Sequence, residues 1–311
     1  MAVLPAATAA ARAERSLAGV FPIAFTPARP DGTLDYDGLA AQVAFCRRGG
    51  VHGLAWPQIA SGWTTLSERE RMQGAEVMAQ AARGGGTALV IGVQSRTADI
   101  VESERYARHA ERMGADAIIC IPPVSAPPGE LRQLFGRLAG ATALPIFVQA
   151  VGDFSVDRLV ELHAAVPAVR YVKDEAGDPL ARVGEIVRRT GGALRSFSGR
   201  GVATMIAEME AGFAGHCPFT SLADLYASAY DAFHAGRRRE AFEQFGRIQA
   251  ATSMFAQSNI EVLVARGVIR AGSVARMAAA VPGIATAPVV ASTADQIRRV
   301  LDTYLAGNLR G

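Results

Sequence analysis

The stretch Tyr171-Val172-Lys173-Asp174-Glu175-Ala176-Gly177-Asp178 contains the only lysine in a chain of 311 residues. Every other basic side chain is arginine. Arginine stays protonated in proteins, whereas a lysine amine in an apolar setting can lose its proton and form a Schiff base with a carbonyl group. Residues 169–172 have the apolar character of a short buried strand, which would supply that setting. We therefore predict that Lys173 acts as an amine nucleophile, with a solvated loop lysine as the alternative.

The residues that follow Lys173 indicate which reaction the amine would support. Side chains alternate along a strand, so Tyr171, Lys173 and Glu175 are expected on one face and Asp174 on the other. A Schiff base on a 2-oxo acid makes the C3 hydrogens acidic, and a nearby carboxylate can remove one of them so that a C4 hydroxyl leaves. The pair predicts β-elimination from a 2-oxo-3-deoxy sugar acid. A surface carboxylate in an acidic turn is the alternative reading of Glu175.

The segments on either side of this stretch alternate short apolar runs with amphipathic helices. Eight such pairs predict an α/β fold, a (β/α)8 TIM barrel whose active residues lie at the C-terminal ends of its strands. We expect a loose N-terminal tail at 1–18, the barrel at 19–235 and a C-terminal helical appendix without strands at 236–311. Ser67 and Glu70 have the spacing of a capping box, which predicts a helix start.

Composition excludes several classes of protein. Half of the residues are hydrophobic and the formal net charge is +3, with arginines scattered among acids rather than gathered in a stripe. We therefore expect no nucleic acid partner. No apolar run is long enough to span a membrane. Cys46, Cys120 and Cys217 lack metal-ligand spacing, so we expect reduced thiols in a cytoplasmic protein. The sequence implies no metal and no organic cofactor.

Four parts of the chain resemble one family closely enough to identify it. They are residues 19–27 (GVFPIAFTP) with 31–35 (DGTLD), 50–54 (GVHGL) with 66–70 (LSERE), 114–117 (GADA), and 172–178 (VKDEAGD). The chain resembles the lysine-dependent aldolases and dehydratases that include dihydrodipicolinate synthase and N-acetylneuraminate lyase. The resemblance covers nearly everything after residue 18. It implies that Lys173 forms the imine with a 2-oxo acid, and that the protein is a homodimer or homotetramer.

Departures from the family pattern are equally specific. The family's Gly-Thr-Thr-Gly-Glu loop reads Gln-Ile-Ala-Ser-Gly here, at 58–62. Its tyrosine at the end of the fifth strand is Gln149, and the arginine of the lysine-pathway enzyme falls on Phe154. The tyrosine that a partner subunit usually lends falls near Pro123 or Val124. These departures argue against dihydrodipicolinate synthesis and against a standard sialic acid lyase.

One branch of the family matches several of these departures. Residues 145–149 (PIFVQ) are similar to the strand of the 2-keto-3-deoxy-L-arabonate dehydratases, which also carry glutamine where relatives carry tyrosine. The resemblance extends to Glu175, two residues after the lysine, and to Ser61 in the second loop. Gly62 departs from it, because that branch has a glutamate there.

The candidate site is therefore divided between catalysis and binding. The catalytic residues are Lys173, Glu175 and Gln149, with Gln149 bonding a substrate hydroxyl or water. The substrate-binding residues are Ser61, Ala60, Ile59, Arg200 and Cys217. Ser61 and neighbouring N–H groups would hold the carboxylate, Arg200 a distal group, and either His216 or Cys217 would face the lysine. Each has a structural alternative: a plain loop serine, a satisfied buried amide, an exposed arginine, or side chains that only shape the chamber.

The leading hypothesis is a Schiff-base lyase that dehydrates a 2-keto-3-deoxy sugar acid. Retro-aldol cleavage that releases pyruvate or another 2-oxo acid remains open, although it needs a base at the C4 hydroxyl. A third hypothesis is a family member without turnover that binds a 2-oxo acid.

Overall fold

The structure, a computed structural model, describes residues 16–123, 125–200, 203–255, 258–276 and 293–310. In these ranges the strands are β1 (Gly19–Val20), β2 (Pro27–Ala28), β3 (Gly53–Trp56), β4 (Ala88–Gly92), β5 (Ala117–Cys120), β6 (Ile146–Ala150), β7 (Val169–Asp174), β8 (Arg195–Ser198), β9 (Gly215–His216) and β10 (Val274–Ala275). The helices are α1 (Tyr36–Arg48), α2 (Glu68–Ala82), α3 (Ile100–Met113), α4 (Pro128–Ala141), α5 (Val156–Ala165), α6 (Pro179–Thr190), α7 (Met205–Ala211), α8 (Ala223–His234), α9 (Arg238–Met254), α10 (Asn259–Ala265) and α11 (Ala294–Arg299).

The order of these elements confirms the predicted fold class. Eight strands, β1 and β3 to β9, make up the main sheet and alternate with helices along the chain. Each crossover from one strand to the next parallel strand contains a helix, as parallel pairing requires. The fold is a (β/α)8 barrel followed by C-terminal helices.

The chain divides into two compact units. The lysine unit consists of Met1–Ala18 and Ala88–Cys217, and the loop unit of Gly19–Thr87 and Pro218–Gly311. In the lysine unit, β4 to β9 are neighbours in chain order, and each strand pairs in parallel with the next. The register places Lys173 of β7 between Gln149 of β6 and Phe197 of β8. This register sets the candidate catalytic residues side by side.

Three aromatic rings form an apolar layer in the lysine unit. Phe147 stacks on Tyr171 with ring centroids 4.5 Å apart, and both meet Phe197 edge-on. The Tyr171 hydroxyl accepts a hydrogen bond of 2.9 Å from the N–H of Leu17, which is buried. Residues 1–15 of the predicted tail lie outside the described residues. Leu17, at its end, is packed into this unit.

In the loop unit, strands and bridges join residues that are far apart in the sequence, and the sequence pattern did not predict these pairings. Ile23 bridges to Ala55 and to Phe219. β2 pairs antiparallel with β10, with Val274 opposite Ala28. The sequence predicts a loop over 26–32 and a C-terminal appendix without strands, and the pairing of β2 with β10 corrects both expectations. Two-residue strands are too short to show periodicity, so only the long-range contact defines them.

Local signals predicted the helices well. The sequence pattern predicts helices over 36–48 and 156–165, and α1 and α5 have these bounds. Ser67 and Glu70 form the expected capping box. The pattern also predicts a strand over 19–24, whereas β1 ends at Val20. Pro22 has no N–H to donate to a ladder, although its carbonyl accepts the N–H of Ala55 at 2.9 Å. The pattern predicts the seventh helix over about 202–210, and the start of that range, Val202, lies outside the described residues.

Replacing Arg266 with methionine is expected to destabilise the loop unit strongly. Arg266 and Asp224 form a buried bidentate pair, with both N···O distances 2.8 Å. Burial favours the neutral acid, but the bonds from Arg266 outweigh it and lower the pKa of Asp224. Removing the arginine leaves an uncompensated buried carboxylate, which costs about 3–5 kcal/mol. Urea denaturation at pH 7 measures this change.

The matched control is Arg239→Met, which breaks an exposed pair with Glu243 and should change the midpoint little. An equal midpoint for the two variants would contradict the expected role of the buried pair. In the parent, the stabilisation is present above the ordinary carboxyl pKa of 3.8 and is lost as pH falls through the lowered pKa of Asp224.

Candidate active site

The side chains of Lys173 and Glu175 meet, as strand alternation predicts. Lys173 Nζ lies 3.1 Å from Glu175 Oε1. The lysine is 4% exposed and its carboxylate partner is partly exposed. The amine therefore lies near the end of β7, beside a carboxylate. The predicted nucleophile and the predicted proton-transfer group are within hydrogen-bond reach of each other.

Gln149 extends this pair on the neighbouring strand. Its side-chain Nε2 donates a hydrogen bond to Glu175 Oε2, and the residue is fully buried. Among the described residues, its Oε1 has no hydrogen-bond partner. A buried carbonyl oxygen left without a donor is costly, so this oxygen is suited to accept from a hydroxyl group or water. The three predicted catalytic residues are thus contiguous, in the order Lys173, Glu175, Gln149.

Asp174 occupies the opposite face of β7, which confirms the alternation. Its carboxylate accepts from Arg182 Nε at 2.9 and 3.1 Å and from the N–H of Ala176 at 3.2 Å. Burial raises the pKa of Asp174, although these donors favour its ionised form. The bond from Ala176 ties the turn that carries Glu175 to the Asp174 carboxylate.

Gly199 provides the space in which the Glu175 side chain lies. A Cβ at this position would lie 2.5 Å from Glu175 Cγ and 2.9 Å from its Cδ. The glycine N–H also donates to the Asp174 carbonyl at 3.1 Å. Any larger residue at 199 therefore has to displace the carboxylate from Lys173.

Gly199→Ala is accordingly expected to lower kcat by about 10²-fold, the scale of an ångström-sized misplacement of a catalytic group. Borohydride trapping of an imine at Lys173 should persist, because the amine itself is not displaced. Gly184→Ala is the control, since a Cβ there would meet nothing within 4 Å. Unchanged kcat in Gly199→Ala would show that Glu175 has no fixed catalytic position.

Of the two residues at the end of β9, Cys217 is the one whose pKa is affected by Lys173 and Glu175. Burial raises the pKa of the Cys217 thiol to about 12, while Lys173 lowers it and Glu175 raises it by smaller amounts. The thiol is therefore protonated at neutral pH, and it would line the site as an uncharged group rather than act as a nucleophile. His216 instead lies 3.1 Å from Glu208, and both side chains are buried.

Arg200, predicted to bind a distal substrate group, is exposed and bonded to the protein. Its Nη1 donates to the carbonyl of Gly177 in the turn after β7. Arg200 thus stabilises the turn after β7 at its exposed surface, while Arg182 binds the buried Asp174 just before this turn. Substrate binding by Arg200 stays a prediction.

The predicted carboxylate-binding residues lie in the loop unit, in a 3₁₀ turn over Ile59–Ser61. Ser61 is buried, and its hydroxyl donates to the Ala24 carbonyl at 2.6 Å. Its N–H and that of Gly62 are bonded within the turn. A hydroxyl has one proton to donate, so Ser61 would have to leave Ala24 to donate to a ligand. The roles of Ser61, Ala60 and Ile59 stay predictions.

Sequence reasoning missed two residues that shape the site, Gly199 and Arg182. Each acts through a contact that no local pattern encodes: Gly199 approaches Glu175 closely, and Arg182 binds Asp174. The Ser-Gly pair that ends β8 is the one signal available in the sequence, because a glycine at a strand end often marks a close approach.

Two general features of the described residues bear on function. No helix in these ranges is both long enough and apolar enough to cross a membrane. In the same part of the chain, no group of three or more histidine, cysteine, aspartate or glutamate side chains is arranged to hold a metal ion.

Comparison with known proteins assigns the family. The model of the dihydrodipicolinate synthetase family matches residues 16–299. Because the match covers most of the chain, the protein belongs to the dihydrodipicolinate synthetase family, as the resemblance in sequence indicated. The nearer resemblance to the arabonate dehydratase branch stays a prediction.

Curated relatives match part of the chain. A 4-hydroxy-tetrahydrodipicolinate synthase from Rhizobium meliloti (strain 1021) is 30% identical over 188 residues, which cover 58% of this chain and 63% of that protein. The synthase from Phenylobacterium zucineum (strain HLK1) is 32% identical over 167 residues, covering 51% and 55%. The matched region thus spans less than two-thirds of the length of either relative.

Solved structures share the fold over nearly the whole chain. Dihydrodipicolinate synthase from Rhodopseudomonas palustris has a TM-score of 0.73 at 20% identity, covering 96% of this chain and 98% of that one. YagE, a prophage protein of the same family from E. coli K12 in complex with pyruvate, has a TM-score of 0.77 at 19% identity, covering 93% and 99%. Both likenesses establish the (β/α)8 fold.

Proposed function

We propose that this protein is a Schiff-base lyase that dehydrates a 2-keto-3-deoxy sugar acid. The observation that carries the proposal is the contact between Lys173 Nζ and Glu175 Oε1, at 3.1 Å, next to the buried amide of Gln149. A related protein of the same fold, YagE, was solved in complex with pyruvate, a 2-oxo acid of the kind that such an amine would capture.

The proposed reaction begins with condensation of the Lys173 amine and the C2 ketone, which releases one water. Glu175 then removes a C3 proton, and the electron pair moves into the iminium to form an enamine. The enamine expels the C4 hydroxyl, which takes the proton that Glu175 carries and leaves as a second water. Hydrolysis of the imine consumes one water and returns the free amine, so the net change is the loss of one water.

Gln149 would support these reaction steps through both the nitrogen and the oxygen of its side-chain amide. Its Nε2 donates to Glu175 Oε2 and so orients the carboxylate that would accept the C3 proton. Its Oε1, without a partner among the described residues, is suited to accept from the C4 hydroxyl of the substrate. The amide of Gln149 lies beside Lys173, because the register of β6 and β7 pairs these two residues.

Phe154 supports dehydration over condensation with a second, charged substrate. The lysine-pathway enzymes place an arginine at the matching position, and here the residue is a buried aromatic ring. Arg158 lies over that ring, with its Cζ 4.6 Å from the centroid, and donates to the Ala126 carbonyl. Its guanidinium is therefore engaged by the protein.

Product analysis tests the proposal. A panel of 2-keto-3-deoxy pentonates and hexonates is incubated with the protein, and products are followed by NMR. The expected result is a product that has lost water and kept every carbon atom. Release of pyruvate with an aldehyde would establish retro-aldol cleavage instead. Imine trapping without turnover on any substrate would favour a binding protein.

The proposal includes a cytoplasmic homodimer or homotetramer. The family resemblance implies oligomers, and the three cysteines are free and buried, as in a reducing compartment. Light scattering of the purified protein tests the oligomeric state, and a monomer at assay concentration would refute this part.

A further inference from the structure

We propose that Arg182 is a positioning residue for Glu175, acting through the carboxylate of Asp174. This role rests on the proposed function, because it takes Glu175 as the group that removes the C3 proton. Arg182 lies in the first turn of α6, and Asp174 is the last residue of β7. Every residue that supports this role belongs to the lysine unit.

The Asp174 carboxylate is bonded both to α6 and to the turn after β7. Its two oxygens accept from Arg182 Nε at 3.1 and 2.9 Å, and the side chain of Asp174 is fully buried. Its Oδ1 also accepts from the N–H of Ala176, two residues further along the chain, at 3.2 Å. An aspartate that accepts from the N–H two residues on forms an Asx turn. Arg182 therefore holds the group that closes this turn.

Glu175 is the central residue of this turn. Its own N–H donates to the carbonyl of Ala150 in β6 at 2.8 Å, which fixes the peptide before it. The bond from Ala176 to Asp174 fixes the peptide after it. Because both peptides are held, the direction of the Glu175 Cα–Cβ bond is set. The carboxylate that this bond carries lies 3.1 Å from Lys173 Nζ.

Arg182 also supplies the positive charge that a buried carboxylate requires. Burial, the largest effect, raises the pKa of Asp174, and the charge of Glu175 raises it further. The hydrogen bond and the charge of Arg182 act in the opposite direction. Without the arginine, Asp174 would have no cation bonded to it, so it would take up a proton or rotate away from Ala176. Either change weakens the bond that closes the turn, and Glu175 loses its fixed direction.

Arg182→Ala tests this role by separating imine formation from proton transfer. Exchange of the pyruvate methyl protons in D₂O requires Glu175, whereas borohydride trapping of pyruvate requires the amine of Lys173. We expect methyl-proton exchange to slow by about 10- to 100-fold, the scale of a misplaced catalytic group. The pyruvate concentration for half-maximal trapping should stay within about twofold of the parent value, because the amine keeps its place on β7.

Chemical rescue provides a readout that a merely structural role would not change. The Arg182 side chain is 12% exposed, so its removal leaves a space near the surface that a small cation can enter. Added methylguanidinium should restore part of the exchange in Arg182→Ala. It should restore none in Gly199→Ala, where a Cβ displaces Glu175 and no cation has been removed. Lost exchange that methylguanidinium leaves unchanged in Arg182→Ala would overturn the proposal.

Arg182→Lys keeps a cation beside Asp174 and serves as the test if Arg182→Ala does not fold. An ammonium replaces the planar guanidinium, so exchange should slow by about 3- to 10-fold while trapping stays within about twofold. Equal losses of exchange and trapping would indicate general damage to the fold and overturn the proposal, as would exchange at the parental rate.

Arg189→Ala is the matched control in the same helix. The partners of Arg189 are Asp157 in α5 and Glu185 in α6, rather than residues of the turn. Methyl-proton exchange and trapping in this variant should both equal those of the parent. A loss of exchange as large as in Arg182→Ala would show that any change in α6 has this effect, and would overturn the proposal.

Amide hydrogen exchange separates this role from the proposed function. In Arg182→Ala, the amide of Ala176 should exchange faster than in the parent, while the amide of Val172 within β7 stays protected. An unchanged Ala176 amide would refute the role of Arg182, whatever the catalytic result. If the parent traps no pyruvate, the proposed function fails, and the Ala176 amide still decides whether Arg182 holds the turn.

Discussion

Lys173→Arg should remove turnover almost completely, by roughly 10⁴-fold or more, the scale on which loss of a covalent nucleophile acts. Arginine keeps the charge beside Glu175 but cannot supply an unprotonated amine to the ketone. Steady-state kinetics on the sugar acid found by product analysis measure the effect. Circular dichroism and the denaturation midpoint should remain close to the parent values.

A double variant provides a matched control for this result. Lys173→Arg combined with Arg239→Lys restores one lysine to the chain, on a side chain that is 93% exposed. It should be as inactive as the single variant, because an exposed amine stays protonated and lies away from Glu175. Activity close to that of the parent in either variant would contradict the assignment of Lys173.

Glu175→Gln should lower kcat by about 10²- to 10⁴-fold, the usual contribution of a positioned acid–base group. The amide keeps the size of the side chain and can still accept from Gln149, but it cannot hold the C3 proton. Imine formation precedes proton removal, so trapping of pyruvate at Lys173 should persist. Exchange of the pyruvate methyl protons in D₂O isolates the proton-transfer step and should slow in parallel with kcat.

Asp178→Asn is the control in the same acidic turn. Asp178 caps α6 by accepting from the N–H of Leu180 at 3.1 Å, and asparagine caps helices about as well. Methyl-proton exchange in this variant should match the parent. If Glu175→Gln also exchanges protons at the parental rate, another group removes the C3 proton.

Short-range rules predicted the centre of the site. Strand alternation placed Lys173 and Glu175 together and Asp174 opposite, because side chains on a strand repeat with a period of two. The same rule predicts that Gln149 points inward, on the same face as Phe147. The amphipathic pattern, which is also local, predicted helices over 36–48 and 156–165, the observed bounds of α1 and α5.

The sequence patterns could not predict contacts between residues that are far apart in the chain. The pairing of β2 with β10 joins residues near 27 and 274, and each strand has only two residues. The space that Gly199 leaves for Glu175 depends on how β7 and β8 pair, and the bond from Ser61 to Ala24 depends on how the loop folds back. Such contacts follow from tertiary packing, which a periodicity of two or 3.6 residues does not encode.

The most direct measurement is borohydride reduction of the parent protein with pyruvate, followed by intact mass and peptide mapping. We predict one reduced pyruvyl group per chain, located on the peptide that contains Lys173, and none in Lys173→Arg. A parent chain that gains no adduct, or a Lys173→Arg chain that gains the same adduct elsewhere, would contradict the proposal that this lysine forms the imine.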